Sequence, residues 1–319
     1  MNGIFERNDF NSNVCEIIRT EDCKVMHLKN KSGEGIMTMY LVFPGVYLMY
    51  NDFHMNECFS GFQSNTKLFC IDHCREGRIE RKVKKGVYSY LETGDLKIDQ
   101  RINHNGYFSF PLSHYHGLTI AFECDIAEKT LPLEMRAFPV KLNDLIKKYC
   151  TDTTPFVIKG DPVIEHIFSE LYNVPSKIKK DYFRIKVLEL LLFLEALEIS
   201  KHKEERPYFY CNKVEKVKAI QELMISDLTK YYTIEELSEQ FDIAQTPLKD
   251  CFKGIFGKPI FTYMRQYRMN YAATLLKTRK NLKVAEIAGL VGYDSPSKFS
   301  SAFHQVMGKS PLEYRKLFV

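Results

Sequence analysis

Thr233-Ile-Glu-Glu-Leu-Ser-Glu-Gln-Phe-Asp-Ile-Ala-Gln-Thr-Pro-Leu-Lys-Asp-Cys-Phe252 and Lys283-Val-Ala-Glu-Ile-Ala-Gly-Leu-Val-Gly-Tyr-Asp-Ser-Pro-Ser-Lys-Phe-Ser-Ser-Ala-Phe303 are two copies of one pattern. Each reads as a short amphipathic helix, a tight turn, and a second helix that opens on small polar residues. This is a helix-turn-helix, whose second helix fits the major groove of DNA. In the first copy Thr233 and Glu236 have capping-box spacing, and Ile234 and Leu237 face inward. Phe241 and Ile243 bracket Asp242 at the turn, and Leu248, Phe252 and Ile255 form the inward stripe of the second helix. Gln245, Thr246, Lys249 and Asp250 are left on the outer, N-terminal face, the end of a recognition helix that reaches base edges. Gln suits adenine, Lys guanine, Thr a thymine methyl, and Asp the N4 amine of cytosine.

In the second copy Ile287, Ala288 and Val291 face inward, Gly292 supplies a turn position that tolerates positive φ, and Phe299 and Phe303 anchor the second helix. Ser295, Pro296, Ser297, Lys298 and Ser301 face outward as base-contact candidates. Ser295 also suits an N-cap and Pro296 a first helical position, which are purely structural roles. Between the copies, the stretch from Pro259 to Leu276 reads as one helix. A stiff connector would hold two recognition helices about 34 Å apart, the spacing of successive major grooves.

Charge is unevenly placed. From Lys213 to Val319 there are 17 Lys and Arg against 11 Asp and Glu, whereas residues 1–212 hold 28 against 29. An anionic partner is therefore met at the C-terminal end. Lys253, Lys258, Arg265, Arg268, Arg279, Lys280, Lys309 and Arg315 are candidate phosphate contacts, and each has a solvated surface charge or an internal ion pair as its competing reading.

Working outward, residues 1–138 read as β-rich. Met37–Phe43, Val46–Tyr50, Lys67–Ile71, Val87–Leu91 and Gly117–Phe122 are short apolar runs bounded by turn residues, as in a barrel or sandwich. Residues 139–203 change to a helical period, with Asp161 and Pro162 opening one helix and Asp181–Ser200 forming the longest. The breadth of its apolar face (Ile185, Leu188, Leu191, Leu192 and Ile199, widened by five more) leaves a dimer seam and intrachain packing as alternatives. A linker is expected at 204–212, and 213–319 is the DNA-binding domain. The fold class is α+β, a β domain followed by an all-α one. No apolar run is long enough to span a membrane, and Met1–Phe10 lacks a signal-peptide layout. The nine scattered cysteines read as reduced thiols of a cytoplasmic protein.

The stretches Gly257–Ala272, Val284–Phe303 and Gly308–Arg315 resemble the AraC/XylS family of bacterial transcription regulators, over roughly a hundred residues. The resemblance implies a non-enzymatic protein that binds promoter DNA through two helix-turn-helix units and contacts RNA polymerase, usually as an activator. Family members often carry Arg at the positions of Asp250 and Ser301, one in each copy; because the first copy offers Gln245, Thr246 and Lys249 and the second mostly Ser, Pro and one Lys, direct base readout is expected mainly from the first copy. The N-terminal half is similar to the cupin-like sensor barrels of such regulators, loosely to the pyochelin-regulator subgroup. It implies a small-molecule effector; no cofactor or resident metal is expected, and a homodimer is one of the two readings of the Asp181–Ser200 helix. Tyr40, Tyr50, Tyr88, Tyr90, Tyr107, His114 and His116 are the candidate effector-pocket residues. The alternative is a cupin-type metal sensor or metalloenzyme, built from His114 and His116 with His73 or His54.

Overall fold

A computed structural model of the chain describes residues 13–21, 23–84, 86–134, 138–151, 155–199 and 209–318. Residues 204–208 of the linker expected at 204–212 lie outside them. The chain divides into two compact units, Met1–Tyr208 and Phe209–Val319.

The first unit begins with eight strands: β1 Val14–Arg19, β2 Cys23–Asn30, β3 Gly33–Phe43, β4 Val46–His54, β5 Glu57–Lys84, β6 Val87–Glu92, β7 Leu96–Ser109 and β8 Tyr115–Glu123. Helices α1 Cys124–Glu134 and α2 Leu142–Tyr149, the short strand β9 Phe156–Ile158, and helices α3 Pro162–Leu171 and α4 Lys179–Ala196 complete it. The strand order runs β1-β2-β3-β4-β8-β5-β6, and β7 pairs with both β5 and β9. This sheet curls into an open half-barrel, and the outer edge of β1 has no strand partner among the described residues.

Strand parity divides the unit into two faces, because successive side chains on a strand point to opposite sides. Leu48, Phe69, Ile71, Ile98, Leu118, Ile120 and Phe122 pack against Leu145 of α2, Ile164, Ile167 and Phe168 of α3, and Phe183, Val187, Leu190 and Leu194 of α4. Each such side chain, fully buried, contributes about 1.5–3 kcal/mol. The opposite parity supplies a second interior, in which Met37, Phe53, Cys58, Phe110 and Tyr115 meet. Met39, Met49, Leu68, Cys70 and Ala121 extend it. The central strands are thus apolar on both faces.

Local chemistry fixes the helix ends. The Asp161 carboxylate accepts from the backbone N–H groups of Val163 and Ile164, with Pro162 at the first helical position. In α4 the broad apolar face splits. Phe183, Val187, Leu190, Leu191 and Leu194 are buried, but Ile185 is 61% and Leu192 45% exposed.

The second unit holds seven helices among the described residues. These are α5 Cys211–Ser226, α6 Ile234–Gln240, α7 Gln245–Phe256, α8 Ile260–Thr278, α9 Val284–Leu290, α10 Pro296–Met307 and α11 Pro311–Lys316. Helices α6–α7 and α9–α10 are the two repeated units, joined by α8.

Candidate nucleic-acid interface

The two helix-turn-helix units are built alike, and small differences between them matter. In the first, Thr233 Oγ1 accepts from the Glu236 N–H at 3.1 Å, while Glu236 accepts from the Thr233 N–H at 2.7 Å. Two N–H groups that the helix leaves orphaned are thereby satisfied. The turn closes at Asp242, a non-glycine residue at φ 47°. In the second unit Glu286 reaches back to the Lys283 N–H at 2.6 Å, and the corresponding turn residue is Gly292 at φ 81°. Helices α7 and α10 have equal length, and both end on a left-handed glycine, Gly257 and Gly308.

Burial sorts the recognition helices as amphipathic spacing requires. In α7, Leu248, Cys251, Phe252, Ile255 and Phe256 are buried, whereas Gln245, Thr246, Lys249, Asp250 and Lys253 are exposed. In α10, Phe299, Ala302 and Phe303 are buried, and Pro296, Ser297, Lys298 and Ser301 are exposed. Ser295 is half-buried, and its side chain accepts from the Lys298 N–H, which commits it to capping. When the two helices are matched end to end, Thr246 corresponds to Ser297 and Asp250 to Ser301. Exposed His304 then takes the place of Lys253. No sequence motif marks His304; the equal lengths of the two helices place it.

The cationic candidates separate into two groups. Lys253, Lys258, Arg279, Lys280 and Lys309 are exposed. Arg265 is exposed as well, but donates to Gln305, tying α8 to α10. Arg315 is half-buried and donates to the Leu282 carbonyl at 2.8 Å. Arg268, expected among the phosphate contacts, is only 7% exposed. Its guanidinium donates to the carbonyls of Leu228 at 3.0 Å and Lys230 at 2.9 Å, and lies 4.1 Å from the centre of the Tyr231 ring. The Tyr231 hydroxyl in turn donates to the Gly292 carbonyl at 2.7 Å. Arg268 is therefore a clasp that binds the segment before α6 to α8, and Tyr231 carries the tie to the turn of the second unit.

In the N-terminal unit, the seven candidate effector residues do not form one group, although Tyr50 and His116 come together at Tyr172, with Tyr40 beside Tyr50. Tyr40 and Tyr50 sit 6.0 Å apart on the helix-facing side, each against Phe183, and Tyr50 donates to the Leu171 carbonyl. Tyr88 is half-buried, the Tyr90 hydroxyl donates to Glu80 at 2.6 Å, and Tyr107 is 63% exposed. The half-buried His114 has Nδ1 2.9 Å from the Leu112 carbonyl, and His116 meets Tyr172 edge-on. A cavity of about 90 Å³ does exist, but none of these seven residues lines it. Its walls come from the opposite parity, including Met49, Phe53, Phe110, Tyr115, Asp72 and Lys97.

His73 is far from a metal-ligand arrangement. It is buried, stacks on Phe168 at 4.4 Å, and has Nε2 3.3 Å from Glu165. Burial pushes its pKa down and outweighs the opposing pull of Glu165. Among the described residues, no group of three or more His, Cys, Asp or Glu is placed to hold a metal ion. Nor, among them, is any helix long and apolar enough to cross a membrane.

Residues 237–317 match the family described as helix-turn-helix domain. The chain is similar to the HTH-type transcriptional activator RhaR of Yersinia pseudotuberculosis serotype O:1b, 24% identical over 168 residues, 52% of this chain and 56% of that protein. It is also similar to the HTH-type transcriptional regulator AlkR of Acinetobacter baylyi, 34% identical over 87 residues, 27% of this chain and 28% of AlkR. Among solved structures, the C-terminal domain of the two-component response regulator yesN from Fusobacterium nucleatum is 34% identical, with 31% of this chain and 95% of that one covered and a TM-score of 0.29. The chain spans about half the length of the curated RhaR relatives it matches. The C-terminal unit, with two capped helix-turn-helix motifs on one connecting helix, is a helix-turn-helix domain of the AraC type.

Proposed function

We propose that this protein is a promoter-binding transcriptional regulator, in the main an activator, working in the bacterial cytoplasm. The observation that carries the reading is the exposed set Gln245, Thr246 and Lys249 on the first turns of α7, held outward by the buried stripe Leu248–Phe252–Ile255. Helix α10 presents the hydroxyls of Ser297 and Ser301 and one cation, Lys298, so it contributes less direct base readout and more positioning. The exposed Lys253, Lys258, Arg279, Lys280 and Lys309 supply phosphate attraction. The name of RhaR as an activator supports a productive contact with RNA polymerase.

The N-terminal unit acts, in this reading, as a cupin-like sensor for a small-molecule effector, for which the cavity is the available space. Effector binding shifts the balance between conformations with different promoter affinity. A second copy of the chain pairs along the outer face of α4, where Ile185 and Leu192 stand seven residues apart, the spacing of a helix–helix seam.

A gel-shift titration of the full chain against its own upstream DNA tests the reading. Selective binding that weakens steeply with salt is expected. Binding that fails to discriminate that DNA from random duplex would overturn it.

A further inference from the structure

One wall of the cavity in the N-terminal unit is charged. Asp72 of β5 lies opposite Lys97 of β7 and Thr119 of β8, and Arg101 stands four residues along β7 on the same face. Lys97 Nζ is 2.7 Å from Asp72, and the Arg101 guanidinium meets the same carboxylate. Asp99, behind them, takes Arg101 Nε at 2.8 Å and both Lys97 and Arg81 at 3.5 Å. The Thr119 hydroxyl donates to Asp72 at 2.7 Å and accepts from the Asn51 amide at 3.1 Å.

This network is nearly closed to water. The side chains of Asp72 and Asp99 are 8% exposed, Arg101 11% and Lys97 14%, whereas Arg81, at the edge of the network and outside the cavity wall, is 30% exposed. Burial alone would raise the pKa of Asp72, but Arg101 and Lys97 outweigh it and hold the carboxyl well below the usual range. Asp72 therefore stays ionised, and among the described residues three cations, Lys97, Arg101 and Arg81, meet the two carboxylates. A buried charge without a counter-charge is costly. Apart from Asn51 and Ser60, the rest of the wall is mainly apolar, with Met49, Leu68, Phe53, Phe110 and Tyr115. Cys58 and Cys70 also line it, and burial pushes both thiols up to about 12, so they add neutral surface rather than nucleophiles.

We propose that this cavity is a site for a small monoanion with an apolar body, a carboxylate in its simplest form, whose charge completes the Lys97–Arg101–Asp72 network while its body lies against Phe53, Phe110 and Tyr115. The proposal deepens the sensor reading by naming the class of effector and where it sits, and it rests on that reading only for its regulatory meaning.

Calorimetric titration of the full-length protein with hexanoate, hexanol and hexylamine separates charge from shape. Hexanoate is expected to bind at least about tenfold more tightly than hexanol, and hexylamine not at all. Lys97→Met leaves two cations with two carboxylates, so the variant is expected to stay folded and to bind hexanoate no better than hexanol. Asp72→Asn adds a second unpaired positive charge, and is expected to tighten hexanoate binding. Equal binding of hexanoate and hexanol by the parent protein, a preference for hexylamine, no heat from hexanoate at millimolar concentration, or an unchanged hexanoate affinity in Lys97→Met would each overturn the proposal. Hexanoate that binds at this wall yet leaves promoter affinity unchanged would count against the sensor reading and uphold the site.

Discussion

Arg268 decides between two accounts of the same charge, and Arg268→Met and Arg268→Lys together distinguish them. As a clasp, the guanidinium satisfies the carbonyls of Leu228 and Lys230 and covers one face of Tyr231. A hydrogen bond from a charged donor contributes about 1.5–3 kcal/mol. The two bonds share one guanidinium and do not add in full, so Arg268→Met should cost about 3 kcal/mol. For a unit the size of Phe209–Val319, 1 kcal/mol corresponds to about 4 °C, giving a fall of about 12 °C in the transition that removes its helical signal. Arg268→Lys should lose most of this too, because an ammonium cannot fork to two carbonyls and stack at once. Circular dichroism melts of the full chain read the stability. Binding to promoter DNA across a salt series reads the other account, since loss of a true phosphate contact lowers the salt slope by about 1. The clasp requires a depressed melting temperature in both variants and an unchanged slope. Melting within a degree or two of the parent, with a lower slope in Arg268→Met and a parental one in Arg268→Lys, would refute it and restore Arg268 to the DNA surface.

Three further outcomes can be measured. Lys249→Ala should cost about 1–3 kcal/mol of discrimination at one position in one half of the operator, read by footprinting on substituted sites; an even loss over both halves would mark Lys249 as a phosphate contact. Gly292→Ala should destabilise the C-terminal unit by about 2 kcal/mol or more, because the turn needs left-handed backbone, and the new Cβ would also fall 2.4 Å from the Leu228 carbonyl oxygen; a chemical-denaturation midpoint equal to the parent's would contradict this. His73 is neutral in the folded state, so the unfolded chain takes up its proton first and stability rises with pH. Stability should therefore fall as pH drops below about 6.5, and His73→Phe, which preserves the stack on Phe168, should flatten that part of the melting profile relative to the parent.

The C-terminal unit is legible in the chain because its determinants are local. Capping at Thr233, glycines at Gly257, Gly292 and Gly308, and inward stripes such as Leu248–Phe252–Ile255 are set by neighbours three or four residues away. The same locality exposes Gln245, Thr246 and Lys249. The runs that became strands are visible for the same reason. Arg268 was not separable from the other cations, since its partners Leu228 and Lys230 lie some 40 residues earlier in the chain.

The effector residues show the limit most clearly. Aromatic content marks a core but not a face. On β4, Tyr50 points to the helices while Met49, Asn51 and Phe53 point to the cavity, and only the strand pairing decides which parity encloses space. Asp72, Lys97, Asp99 and Arg101 read as polar strand positions until register brings them into one buried network. The amino-acid sequence by itself determined the helix-turn-helix pair, its caps and its outward residues, because helix periodicity and end chemistry act within a few residues. Tertiary structure alone decided which face of the sheet encloses the cavity and which cations are free to meet DNA, because both depend on contacts between residues far apart in the chain.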